Sequence, residues 1–149
     1  MARVTVKREG LAVAVLVAGV QFIPVARENP PIQASNVLYA TQVVPANVRS
    51  IFEDSCKNCH SNQTAWPWYS YVAPFSWIVV RDVNRGRSQL NFSEWGRYSP
   101  KKREHTLEDI CEELANGDMP DGKYLLIHRN AKLTQEEREA VCAWVESVR

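Results

Sequence analysis

Strand-like alternation, internal repeats and low-complexity runs are all missing from this 149-residue chain. Their absence excludes sandwiches, barrels, solenoids and a largely disordered polymer. An excess of one charge is missing as well, since 18 basic residues stand against 17 acidic ones for a formal net of +1. Neither nucleic acid nor an acidic surface is therefore expected as the main partner. Groups that bind metal or work as nucleophiles are few: 3 histidines, 4 cysteines and 2 methionines, one of them the initiator. Any such chemistry has to run through a short list of residues. What the chain has in quantity is apolar and aromatic surface, with 45% hydrophobic residues, 5 tryptophans and 5 tyrosines. That is enough for one domain with a real core, and too little for two comfortable ones.

The first 26 residues differ from the rest. Arg3, Lys7 and Arg8 precede an apolar run from Leu11 to Val25, broken by Gln21 and Pro24. Positive charge before an apolar segment is the pattern of export, with the remainder of the chain on the outer side of the membrane. The run stands at the upper end of a signal-peptide core of about 7–15 residues and short of the roughly 18 expected of a full span. No clean small-x-small cleavage site comes after it, which favours an uncleaved membrane anchor over a signal peptide. Residues 27–44, opened by "RENPP", read as a linker, and 45–149 as the folded domain.

Export makes cysteines informative, because free thiols outside the cytoplasm tend to be oxidised. Cys56 and Cys59 stand three apart and His60 comes directly after them, in "SCKNCHSNQTAWPWY". Two thiols at this spacing on a helical turn suit thioether bonds to the two vinyl groups of one haem, and His60 then offers its imidazole to the iron from below. The competitors are a zinc knuckle, which wants a second close pair of ligands, and a thioredoxin-like couple, which wants a βαβ setting. Cys111 and Cys142 stand alone, and the downstream sequence reads as helices.

The class is all-α. Pro45 opens a helix carrying Val48, Ile51 and Phe52 on one face and running into the cysteines. Pro74 starts another through "FSWIVVRDVNR", with Gly86 expected beyond its end. Ser99 and Pro100 open a third to about Asn116, closed by Gly117, with Leu107, Ile110, Cys111 and Leu114 inward. Thr134 and Glu137 form a capping box for the last, with Val141, Trp144, Val145 and Val148 on one face.

Elimination narrows the sixth iron position to three residues. His105 points nearly opposite to the inward stripe of its helix and reads as solvated. Met119, between Asp118 and Pro120 in a rigid loop, is the leading distal candidate. His128, four residues after Tyr124 and on its face if helical, is the alternative, and an open site is the third. Trp66, Trp68, Tyr69, Trp77 and Tyr124 are candidates for haem packing or general core. Arg81, Arg85 and Arg87 read as solvated, with one able to meet a propionate. Cys111 and Cys142 are either buried thiols or a bridge between two helices.

A longer set of motifs, "VPANVRSIF", "CKNCHSNQTAWPWYSYVAPFSW", "NFSEWGRYS", "GDMP", "YLLIH" and "LTQEEREAVCAW", resembles the small exported bacterial haem-binding domain proteins related to c-type cytochromes. The likeness runs from Gln21 through Trp144. It implies a cytochrome-c-like helical domain with one covalent haem c held by Cys56 and Cys59, His60 as proximal ligand and Met119 as distal one. The expected function is one-electron transfer outside the cytoplasm, periplasmic or anchored in the inner membrane, with redox proteins as partners and no nucleic acid. The competing class is a haem enzyme or gas sensor with an open or histidine-ligated sixth site.

Overall fold

The computed structural model describes residues 2–149, with side chains from residue 8 onward, so the side chains of Arg3 and Lys7 lie outside the described residues. Among the described residues there is no strand. The helices are α1 (Ala2–Val20), α2 (Leu38–Thr41), α3 (Ala46–Ile51), α4 (Lys57–His60), α5 (Phe75–Gln89), α6 (Pro100–Asn116), α7 (Gly122–Ile127) and α8 (Gln135–Val148). The chain divides into two compact units. One is Met1–Glu28 with Trp66–Asp82, and the other is Asn29–Ala65 with Val83–Arg149.

The larger unit is built on a core of Leu38, Phe52, Phe92, Trp95, Leu107, Leu114, Val141, Trp144 and Val145. Phe52 lies 4.9 Å from Phe92 and meets Trp144 edge-on at 5.5 Å. Each such side chain removed from water contributes about 1.5–3 kcal/mol. The inward stripes read from the sequence are those that pack: Leu107 and Leu114 of α6 and Val141, Trp144 and Val145 of α8 are buried, while Ile110, Cys111 and Val148 pack against them half-covered. Part of the segment read as a linker joins this core, because Leu38 is only 1% exposed and its N–H donates to the Phe92 carbonyl at 2.7 Å. Trp95 forms a short 3-10 turn (Trp95–Arg97) and is fully buried.

Helix ends follow their chemistry. The Ser99 hydroxyl accepts from the Lys102 N–H at 3.3 Å and Pro100 occupies the first turn of α6, whose other end stops at Gly117 with φ +76°. In that left-handed conformation glycine has no Cβ penalty. At α8 the Thr134 hydroxyl accepts from Glu137 N–H at 3.2 Å and the Glu137 carboxylate accepts from Thr134 N–H at 2.8 Å. A Thr134→Ala chain is expected to lose about 1 kcal/mol, read as a fall in thermal midpoint; an unchanged midpoint would show the box to be redundant.

One expectation is corrected: Gly86 does not end its helix, since α5 continues to Gln89 with Gly86 buried inside it. Of the two readings open for Cys111 and Cys142, the structure has the bridge, a disulfide joining α6 to α8 with Cα atoms 5.4 Å apart, well inside the usual range.

In the smaller unit Ala73, Ser76 and Val80 are buried, whereas Trp68 is 78% exposed and Tyr71, Phe75, Trp77 and Ile78 are also open to solvent. The apolar residues of α1 from Leu11 to Ala18 are exposed as well. No helix among the described residues is long and apolar enough to cross a membrane.

Candidate functional site

The helix entering the cysteine motif changes pitch on the way. After α3 the chain takes a single π turn at Phe52–Cys56, where the Lys57 N–H donates to the Phe52 carbonyl five residues back, and then α4 carries Asn58, Cys59 and His60. Wide turns of this kind concentrate at functional positions. Phe52 anchors the turn in the core, and the next residues present both sulfurs and the imidazole along one short run.

His60 is held by its backbone and by its ring. Its carbonyl accepts from Phe92 N–H at 2.8 Å. Its Nδ1 stands 3.1 Å from two backbone carbonyls, those of Gly86 and Leu90. A carbonyl can only accept, so Nδ1 carries the proton and Nε2 keeps its lone pair for a metal. Burial pushes the imidazole pKa down, and the two carbonyl contacts partly oppose that. The ring is thereby kept neutral, the form that ligates iron.

This grip on His60 needs Gly86. A Cβ on Gly86 would stand 2.7 Å from the carbonyl oxygen of Cys59 and 3.2 Å from its Cβ. Only a residue without a side chain lets α5 approach the cysteine turn so closely. Local sequence pattern casts Gly86 as a stop signal and hides this role. A signal was present: Ser76, Val80, Val83, Gly86 and Leu90 recur at three and four residues, which places Gly86 on the inner face of a continuing helix.

The residues between and after the cysteines are fixed by side chains. Asn58 accepts from Ala65 N–H at 3.2 Å and donates to the Tyr124 hydroxyl at 3.2 Å. The Thr64 hydroxyl donates to the Asn58 carbonyl at 2.8 Å. Arg87, read from sequence as solvated, donates to the Ser61 carbonyl, the Thr64 hydroxyl and the Asn29 side chain, each at 2.8 Å. Arg81 instead pairs with Asp82 at 3.0 Å, and Arg85 is exposed.

Tyr124 and His128 stack with ring centres 4.2 Å apart and planes 18° off parallel, as expected for one face of a helical turn. Burial raises the Tyr124 hydroxyl above its usual range, the Asn58 bond opposes this, and Cys59 and Cys56 are close enough to add to it. The turn after His128, Arg129–Ala131, packs against Phe52–Cys56. Tyr124 and His128 are thus brought to the cysteine run. Met119 lies between α6 and α7, 37% exposed, with its N–H donating to the Glu113 carbonyl at 3.3 Å. His105 is exposed beside Asp109 at 3.5 Å. Trp66 and Tyr69 are half-buried in the smaller unit, where Trp68 meets Tyr69 edge-on at 5.8 Å.

A cavity of about 450 Å³ is lined by Tyr39, Arg49, Glu53, Lys57, Phe92 and Ser93 among others, with neither the cysteines nor His60 in its wall. Within it the Lys57 ammonium pairs with Glu53 at 2.6 Å and the Arg49 guanidinium lies 4.4 Å over the Tyr39 ring.

With this geometry in place, the comparison with known families is decisive. A family model described as a haem-binding domain matches residues 15–147. The chain belongs to the haem-binding domain family. No curated protein and no solved structure matches it.

The residues of this haem-binding domain suit the group. Cys56 and Cys59 are thiols rather than a bridge. Burial, and then the neighbouring Cys59, push the Cys56 thiol up to about 12. An exchanging redox couple needs the opposite shift. Among the described residues no set of three or more His, Cys, Asp or Glu is placed to hold a metal ion, whereas a closed zinc site wants four ligands. The neutral imidazole offers haem iron a donor at Nε2, and the two thiols beside it are groups that can bond to the porphyrin edge.

Proposed function

We propose that this protein is a monohaem c-type cytochrome that transfers one electron at a time outside the cytoplasm. In this reading Cys56 and Cys59 hold the group by thioethers, His60 is the proximal ligand and Met119 the distal one. The observation that carries it is the pair of carbonyl contacts at His60 Nδ1 directly beside the two thiols. When bound, haem supplies a one-electron iron couple. The chain's own residues hold that couple still: Gly86 and Leu90 fix the imidazole tautomer and angle, and Asn58 and Thr64 stiffen the attachment turn. A soft thioether from Met119 favours the reduced state and raises the potential. The basic start and the apolar run support an exported, membrane-tethered or periplasmic location, and redox proteins are the partners such a carrier needs.

A second reading has His128 as the distal ligand, or leaves the sixth site open for a diatomic or peroxide. The stack of His128 on Tyr124, whose hydroxyl is bound by Asn58, favours it. Both are tested on protein matured in a host with haem-attachment machinery. The wild type should stain for haem after denaturing electrophoresis and show a weak sulfur-to-iron band at the red end when oxidised. Met119→Ala is expected to keep covalent haem, lose that band, lower the potential and admit carbon monoxide, with His128→Ala changing none of these. The reverse pattern assigns the site to His128. Rapid carbon monoxide binding by the wild type sinks the electron-carrier reading.

A further inference from the structure

Gln21 is the one polar side chain inside the apolar N-terminal run before Pro24, and it meets Ala73 at both ends. Its Nε2 donates to the Ala73 carbonyl at 3.2 Å while its Oε1 accepts from the Ala73 N–H at 3.0 Å. A little further on, Arg27 donates to the Ser70 carbonyl at 3.1 Å and lays its guanidinium 4.3 Å over the Tyr71 ring. The chain leaving α1 is therefore fastened to the turn at Trp68–Tyr71 and to Ala73. These contacts all lie inside the smaller unit.

What this fastened unit turns outward is apolar. On α1 the side chains of Leu11, Val13, Ala14, Val15, Leu16 and Val17 are all exposed, and at about 100° per residue they are spread right round the helix. A protein partner would cover one face, whereas a helix apolar all round belongs in a core or in lipid. Past the helix, Phe22 is 85% exposed, and the fastened segment adds Trp68, Tyr71, Val72, Phe75, Trp77 and Ile78. Tryptophan and tyrosine are the side chains that settle at headgroup level, with an apolar body in the acyl region and a polar edge in water. The exposed Arg8 and the Arg27 guanidinium supply the positive charge that anionic lipid phosphates attract.

Building on the membrane-tether reading, we infer that the smaller unit is a seat on the phospholipid bilayer. Lipid surrounds α1 from Leu11 onward, the segment from Trp68 to Ile78 lies in the interface, and the Gln21–Ala73 pairing holds that segment at the end of the embedded helix. Gln21 interrupts the apolar run because it is this fastener.

The test uses the matured full chain carrying a single added thiol, Val72→Cys or Phe75→Cys, labelled with a nitroxide and reconstituted into vesicles of phosphatidylcholine and phosphatidylglycerol. Both positions are exposed, so the labels disturb no core. Electron spin resonance then compares collisions with oxygen, which enriches in lipid, and with an aqueous nickel chelate. The expected result is that oxygen dominates at both positions in vesicles. Adding Gln21→Leu, which keeps the run apolar but removes both hydrogen bonds to Ala73, should return the labels to the chelate while the protein still floats with the vesicles. A chain that floats with labels open to the chelate overturns the seat and leaves the tether intact. A chain that does not float overturns both. Labels immobilised without lipid as protein concentration rises would assign the surface to a second copy, and so overturn it too.

Discussion

A Gly86→Val protein is expected to lose its normal haem spectrum together with about 1–3 kcal/mol of stability or more. The first β-carbon already falls 2.7 Å from the Cys59 carbonyl oxygen and 3.2 Å from the Cys59 Cβ, and both belong to the cysteine turn rather than to a flexible side-chain tip. Something structural must move. The two elements that meet there are α5 with the residue after it, where the Gly86 and Leu90 carbonyls accept from His60 Nδ1, and α4, which carries His60. Separating them by even an ångström takes the Nδ1 contacts from 3.1 Å beyond hydrogen-bond range. The imidazole is then free to rotate and to change tautomer, which weakens it as a ligand. Gly86→Ala should show the same defect in smaller degree, because its single methyl makes the same contact. Gly122→Ala is the control, since nothing lies within 4 Å of a Cβ there. The measurements are the thermal midpoint and the reduced and oxidised spectra of all three. A Gly86→Val protein with wild-type spectrum and potential would show that the close approach is not what orients His60.

The contrast between Gly86 and Gly117 shows where sequence reading stops. Both glycines come after helical stretches, and local pattern treats them alike. Gly117 is a stop because its φ of +76° is a property of its own backbone, which composition and periodicity register. Gly86 is a contact glycine, and the reason for it lies 27 residues upstream at Cys59. Local chemistry was legible for the same reason elsewhere: the capping box at Thr134, the inward stripes of α6 and α8, the Tyr124–His128 face and the Cys56, Cys59, His60 run all depend on spacings of one to four residues. Features that depend on long-range approach were hidden, including the carbonyls that fix His60, the Asn58–Tyr124 bond and the burial of Leu38. The aromatic cluster was misleading in a different way. Its residues read as haem packing or core, yet Trp68 is exposed, because Arg27 holds the turn through the Ser70 carbonyl and the Tyr71 ring rather than through the Trp68 indole.

Removing the disulfide as Cys111→Ala with Cys142→Ala is expected to cost about 3–4 kcal/mol, from the loss of a cross-link that closes a loop over a separation of 31 residues. For a chain of this size that corresponds to a fall of roughly 10 °C in the thermal midpoint. Alanine is the right replacement, because both sulfurs sit at the edge of the core where a serine hydroxyl would add its own desolvation penalty. Sequence left the bridge and two buried thiols both open, since each cysteine lies on its own helix and only the packing of α6 on α8 brings their Cα atoms to 5.4 Å. Reductant should lower the midpoint of the wild type toward that of the double variant and leave the variant itself unmoved. The haem spectrum should survive in both, because the bridge ties α6 to α8 and makes no contact in the set that fixes His60. A double variant that melts with the wild type would mean that α6 and α8 pack as firmly without the bond, and that their shared apolar stripe already supplies the constraint.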